Sequence, residues 1–139
     1  MLIILSLTGL LIFAGEKMNN EKSIKINDTE IKVAIADTPL KQGRGLGGKQ
    51  SLKPDEGMLF VFSNYQIRSF WMKDMQFGID IIWIRNNQIV GIEKNVPLAD
   101  SQNLKSYLSP IPVNYVLEVN AGFCDGHNIK TGDRVDFDL

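Results

Sequence analysis

At 139 residues the chain has the length of one domain, and its 44% hydrophobic and 22% charged residues predict a packed core and exclude a disordered chain. A net charge of -1 without any long run of Lys or Arg excludes the electrostatic footprint of a nucleic-acid binder. The single cysteine, Cys124, excludes an internal disulfide framework and a multi-cysteine metal site.

Met1 to Gly15 carry no charged side chain, and Leu2 to Ala14 are almost continuously apolar. Such a run, as a helix, reaches roughly 20 Å and falls short of a ~30 Å hydrocarbon core, which suits a secretory signal better than a transmembrane span. No Lys or Arg precedes the run, no clear small-residue cleavage pair ends it, and no cysteine follows to carry a lipid. The expectation is an export signal or short hydrophobic anchor over 1–15, a linker over 16–22 and one domain over 23–139. A buried N-terminal strand or helix is the alternative. Export places the domain on the extracytoplasmic side, touching a membrane only through residues 2–14.

Ser23 to Ile26 and Glu30 to Ala36 alternate apolar with polar or small residues around Asn27-Asp28, which predicts a hairpin. Asp37-Thr38-Pro39 then has the form of a helix start, and the glycines from Gly43 onward end that helix within about two turns. Gly43-Arg44-Gly45-Leu46-Gly47-Gly48 lacks both a strand leading directly into it and a following Gly-Lys-Ser/Thr. A loop is favoured over a phosphate cradle.

Met58 to Phe62 is a continuous apolar run fit for a strand buried on both faces, with Met58, Phe60 and Phe62 on one side and Leu59 and Val61 on the other. Gln66 to Met72 is a further strand candidate. Ile79 to Arg85 and Gln88 to Glu93 flank Asn86-Asn87, the best hairpin signal in the chain. Val96 to Pro112 reads as loop, Val113 to Val119 as strand, Ala121 to Asn128 as a short helix, and Arg134 to Leu139 as the last strand. The predicted fold is mainly β with two short helices, a compact, closed or nearly closed barrel-like sheet.

Five ordered segments carry a family resemblance: Glu56 to Phe62, Phe70 to Met75, Ile79 to Ile84, Tyr115 to Gly122 and Ile129 to Val135, with Arg44-Gly45-Leu46 upstream. Over residues 24–139 the chain resembles the bacterial and archaeal family called domain of unknown function 192. The resemblance implies a compact β domain, often preceded by a signal or anchor, and carries no established activity. Asp74-Met75 stand where many relatives have Asn-Thr, and Gly78 where Pro is usual.

Candidate site residues are polar groups placed where apolar ones would pack better. Counting back from the Asn86-Asn87 turn sets Asp80 opposite Glu93, and two facing carboxylates require a shared proton or a cation such as Lys73 or Arg68. Fraying of both into water is the alternative. Glu118 interrupts an apolar strand, so Arg44, Lys73 or backbone donors are expected to meet it. Glu56 sits at a strand mouth, as a site residue or a loop brace. Trp71 and Trp83 are ordinary core or lid residues unless Lys73, two residues on, joins Trp71 in holding an anionic or sugar-like ligand. Cys124 and His127 sit three apart on the terminal helix, a spacing open to a nucleophile–base pair and more often incidental.

Trp71, Lys73, Asp80 and Glu118 are therefore expected to converge on one cleft, with Arg44 and Glu56 as further candidates. No metal or cofactor is expected. The favoured function is a non-catalytic module for a small polar ligand or a cell-envelope partner, and the alternative is a hydrolase with a carboxylate pair from Asp80, Glu93, Glu118 or Glu56.

Overall fold

The computed structural model describes residues 21–100, 102 and 104–139. The expected apolar segment over 1–15 and most of the linker lie outside the described residues. Among those described, no helix is long and apolar enough to cross a membrane.

Alternating side chains in the first half of the domain make the expected hairpin of β1 (Ser23–Ile26) and β2 (Thr29–Ala36), turned by Asn27 at positive φ. Thr38 caps α1 (Pro39–Arg44), its Oγ1 accepting from the Lys41 amide at 3.3 Å, and Pro39 occupies the first turn. The chain returns as β3 (Glu56–Gln66), parallel to β2. There follow β4 (Ser69–Trp71), β5 (Ile79–Arg85), β6 (Gln88–Val96), β7 (Ser106–Leu108), β8 (Val113–Asn120), α2 (Phe123–Gly126) and β9 (Val135–Asp138).

Seven strands form one sheet in the order β6-β5-β8-β3-β2-β1-β9, while β4 and β7 pair separately. The sheet curls strongly but is an open half-barrel, so the closed form of the expectation is not reached. Its two edge strands meet at one end. There Gln88 bridges Arg134, and the amide of Val135 donates to the Asn87 carbonyl at 2.8 Å. The segment read as loop over 96–112 contains β7, a strand too short for periodicity to reveal.

Burial on both faces splits the apolar residues into two cores. Ile24, Ile31, Leu59, Ile82, Leu117 and Val135 belong to a cluster supplied by every strand of the sheet, which is the inside of the curl, with Phe123 and Cys124 of α2 packed against it. The outer cluster gathers Phe60, Ile81, Trp83 and Val116 under Leu46, Leu52 and Met72 from the connecting segments. As expected, Phe60 and the partly buried Met58 and Phe62 face one core, and Leu59 and Val61 the other. Trp83 is a core residue, edge-on to Phe70 at 5.6 Å.

The Asp80–Glu93 pair is not formed. Arg85 pairs with Gln88 and Ile84 with Ile89 as counted, but the register then slips so that Trp83 faces Gly91 and Ile81 faces Glu93. One extra residue in β6, a bulge at Val90, moves Glu93 away from Asp80. Gly91 fits the bulge because a side chain there would meet Pro110 at 3.0 Å and Trp83 at 3.2 Å.

Asp80 faces the inner core and is fully buried. Its Oδ1 accepts from the amides of Asn95 at 2.8 Å and Gly122 at 3.2 Å, and its Oδ2 from the amide of Cys124 at 2.9 Å. The carboxylate thus ties β6 and the entry to α2 onto β5. Replacing Asp80 with Ala strands three amides, each costing about 1–3 kcal/mol when buried unpaired. Asp80→Ala is expected to lose at least about 3 kcal/mol of unfolding free energy in urea. Asp80→Asn, which keeps an acceptor for the Oδ1 pair, is expected to lose less, and equal losses would show that the amides do not set the cost.

Candidate functional site

Between the glycine-rich turn after α1 and the β4 segment lies a cleft of about 850 Å³. The turn forms one wall because glycine lets it approach the opposite segment closely. The Gly48 amide donates to the Asp74 carbonyl at 2.9 Å, and a side chain on Gly47 would sit 2.9 Å from the Arg44 carbonyl and 3.5 Å from that of Lys73. Phe60, Phe62 and Phe70 make the apolar lining, with Phe60 and Phe70 in edge-to-face contact at 4.7 Å.

Arg44, Lys73, Trp71 and Glu118 all border this cleft. Trp71 is 51% exposed, and the Lys73 ammonium stands 5.4 Å from its ring centre although β4 ends at Trp71. Glu118 projects from β8, between Met58 of β3 and Ile81 of β5, and is only 4% exposed. The expected salt bridge to Arg44 or Lys73 is absent, and among the described residues no backbone donor replaces it: Oε2 is buried there without a hydrogen-bond partner. Burial pushes its pKa up to about 8, so at neutral pH the carboxyl is largely protonated.

Asp80 lies on the opposite face of the sheet and takes no part. Glu56 braces its own loop, with Oε2 accepting from the Lys53 amide at 3.3 Å and Oε1 3.9 Å from the Lys53 ammonium. The Cys124–His127 pair is not formed either. Burial, with the Asp80 carboxylate beside it, pushes the Cys124 thiol far up and leaves it no nucleophile, while His127 is exposed and packs its ring on Phe123. Among the described residues no group of His, Cys, Asp and Glu is placed to hold a metal ion.

Asp74 and the three phenylalanines also line the cleft but were not site candidates from sequence, and Arg68, considered there only as a counter-charge for Asp80 and Glu93, lines it too. Arg68 lies over the Phe62 ring at 3.8 Å, and its guanidinium donates to the carbonyls of Val113 at 3.2 Å and Asn64 at 2.6 Å. It braces the wall of the cleft. Its position on the short link between β3 and β4, in a stretch otherwise rich in uncharged residues, was the available signal.

The sequence profile of the family described as "DUF192: Uncharacterized ACR" matches residues 22–137. A crystal structure from Sinorhizobium meliloti, provisionally described as a transcription regulator, is 27% identical with a TM-score of 0.78, covering 84% of this chain and 93% of its own. One of a protein of unknown function from Novosphingobium aromaticivorans is 26% identical with a TM-score of 0.76, covering 82% and 83%. No curated protein matches the chain.

The raised pKa of Glu118 makes stability depend on pH with a definite sign. The folded value of about 8 exceeds the ordinary 4.5, so folding takes up a proton between them and stability falls as pH rises through that window. The steepest slope is about 1.4 kcal/mol per pH unit. Comparing urea unfolding from pH 5 to 8, Glu118→Gln is expected to flatten this decline and to be the more stable protein at pH 8. An unchanged slope would show that Glu118 ionises normally.

Proposed function

The chain belongs to the DUF192 family, and from that premise we propose that it is a non-catalytic module binding a small polar ligand in the cleft above Glu118. The observation that carries this reading is the unpartnered Oε2 of Glu118. A polar group buried without a partner costs several kcal/mol. Gln in its place would be easier to keep neutral, and an apolar residue would extend the surrounding core. A ligand that hydrogen-bonds the carboxyl accounts for its retention. The cleft volume lies in the range of small-molecule sites, and its aromatic lining with a few polar groups has their character.

The hydrolase alternative requires a second carboxylate beside Glu118, and the other three acids named for it give it no support. Asp80 is engaged with three amides on the other face, Glu93 is displaced by the bulge and Glu56 is held by Lys53. Gene regulation, the provisional description of the Sinorhizobium meliloti protein, draws no support from a net charge of -1. Export and an envelope setting are proposed on the apolar Leu2 to Ala14 stretch.

A thermal-shift screen of the full chain against sugars, nucleotides, peptidoglycan fragments and metal ions tests the binding reading. At a hundredfold excess over Kd, a true ligand adds about 2.7 kcal/mol of stability. Trp71→Ala is expected to lose that gain while the unliganded melting point stays put, since the residue is already half exposed. Failure of every compound to raise Tm, or turnover of one that does, contradicts the proposal.

A reporter fused after Lys22 is expected to reach the extracytoplasmic side. Retention of the full chain in the cytoplasm with Met1 intact contradicts export.

A further inference from the structure

Building on the proposed binding cleft, we infer that its ligand is a small hydroxylated organic anion, such as a sugar acid or sugar phosphate. Its charge meets Arg44 and Lys73, its carbon frame lies on Trp71, and a hydroxyl or carbonyl reaches Glu118.

The sign of the rim argues for an anion. The charged groups lining the cleft are Arg44, Arg68 and Lys73 against Asp74 and Glu118. Arg68 is committed to backbone carbonyls and to Phe62. Arg44 and Lys73 make no ion pair among the described residues. Two uncommitted cations at the mouth of a partly enclosed site attract an anion and repel an ammonium group. Two such cations suit the several oxygens of one carboxylate or phosphate.

Glu118 argues for hydroxyls. A protonated carboxyl offers one O–H donor and a carbonyl acceptor, which a hydroxyl or amide satisfies and a second charge does not. Its surroundings keep it protonated. Met58 and Phe60 face it from β3, Ile81 from β5, and Val116 and Asn120 flank it along β8, all uncharged. Glu56 sits one diagonal position away on β3 but is occupied by Lys53. The charges on the cleft side are Arg44, Arg68, Lys73 and Asp74, and burial is the cause of the shift. The exposed face of Trp71, with a cation at its side, suits the C–H face of a sugar ring next to an anionic substituent.

Titration calorimetry of the full chain with glucuronate, glucose 6-phosphate, glucose and glucosamine tests the inference. At pH 7 both anions are expected to bind at least about tenfold tighter than glucose, with glucosamine weakest. Arg44→Gln with Lys73→Gln is expected to bring glucuronate and glucose within about twofold of each other. Because the complex needs the Glu118 proton, glucuronate affinity is expected to fall about tenfold from pH 7 to pH 9, and this fall to vanish in Glu118→Gln.

Binding of glucose or glucosamine as tight as that of the anions, abolished by Trp71→Ala, overturns the inference and leaves the binding cleft standing. An affinity for glucuronate independent of pH overturns the role given to Glu118. No binding by any of the four overturns the inference, and only a blank in the wider screen as well brings down the binding reading.

Discussion

A carboxyl group withdrawn from water must be hydrogen-bonded, paired with a cation or left to keep its proton. The central sheet meets that demand twice, on adjacent strands and in opposite ways. Asp80 on β5 receives three backbone amides and becomes a structural tie. Glu118 on β8, set against the neighbouring Ile81, receives none and holds a proton instead. The difference follows from which face each occupies. The inner face closes over Asp80 with the turn into α2, whose amides need an acceptor. The outer face is covered by segments that stop short above Glu118.

That incomplete cover makes the cleft. The glycine-rich turn packs its backbone against Lys73 and Asp74, and β4 pairs with the short β7, so together they wall a space over Phe60, Phe62 and Phe70. Arg68 stiffens one side of it through carbonyls of two separate segments. Where β6 and β9 touch, backbone hydrogen bonds tie the half-barrel instead. A strand thus carries Glu118, while its companions Arg44 and Lys73 come from the end of α1 and the loop after β4. A carboxyl kept in an unfavourable place beside such a cleft is a stability loss of the kind functional sites accept.

Much of the sheet was legible because two-sided burial leaves apolar runs and clean alternation. Glu118 was legible as a candidate for the same reason, an acid inside Val116 to Val119. Its lack of a partner was not, since whether Arg44 or Lys73 reaches it depends on loops whose course periodicity does not describe. The Asp80–Glu93 pairing failed on a single inserted residue at Val90, and with a side-chain period of two such a slip changes which residue faces which. The strand candidate over 66–72 contained β4, but its partner β7 escaped notice because a three-residue strand shows no period. Sheet curl was inferred from strand number, but openness depends on how far the edges β6 and β9 run together, which only the register reveals.

The central claim is that Glu118 is held protonated at the base of the cleft. Carbon-13 NMR of selectively labelled glutamate carboxyls, with Glu118→Gln to assign the signal, measures this directly across pH 4 to 10. The account predicts that the Glu118 carboxyl titrates near 8, well above the ordinary value of 4.5. A midpoint in the ordinary range would show an ionised, solvated side chain and contradict the account.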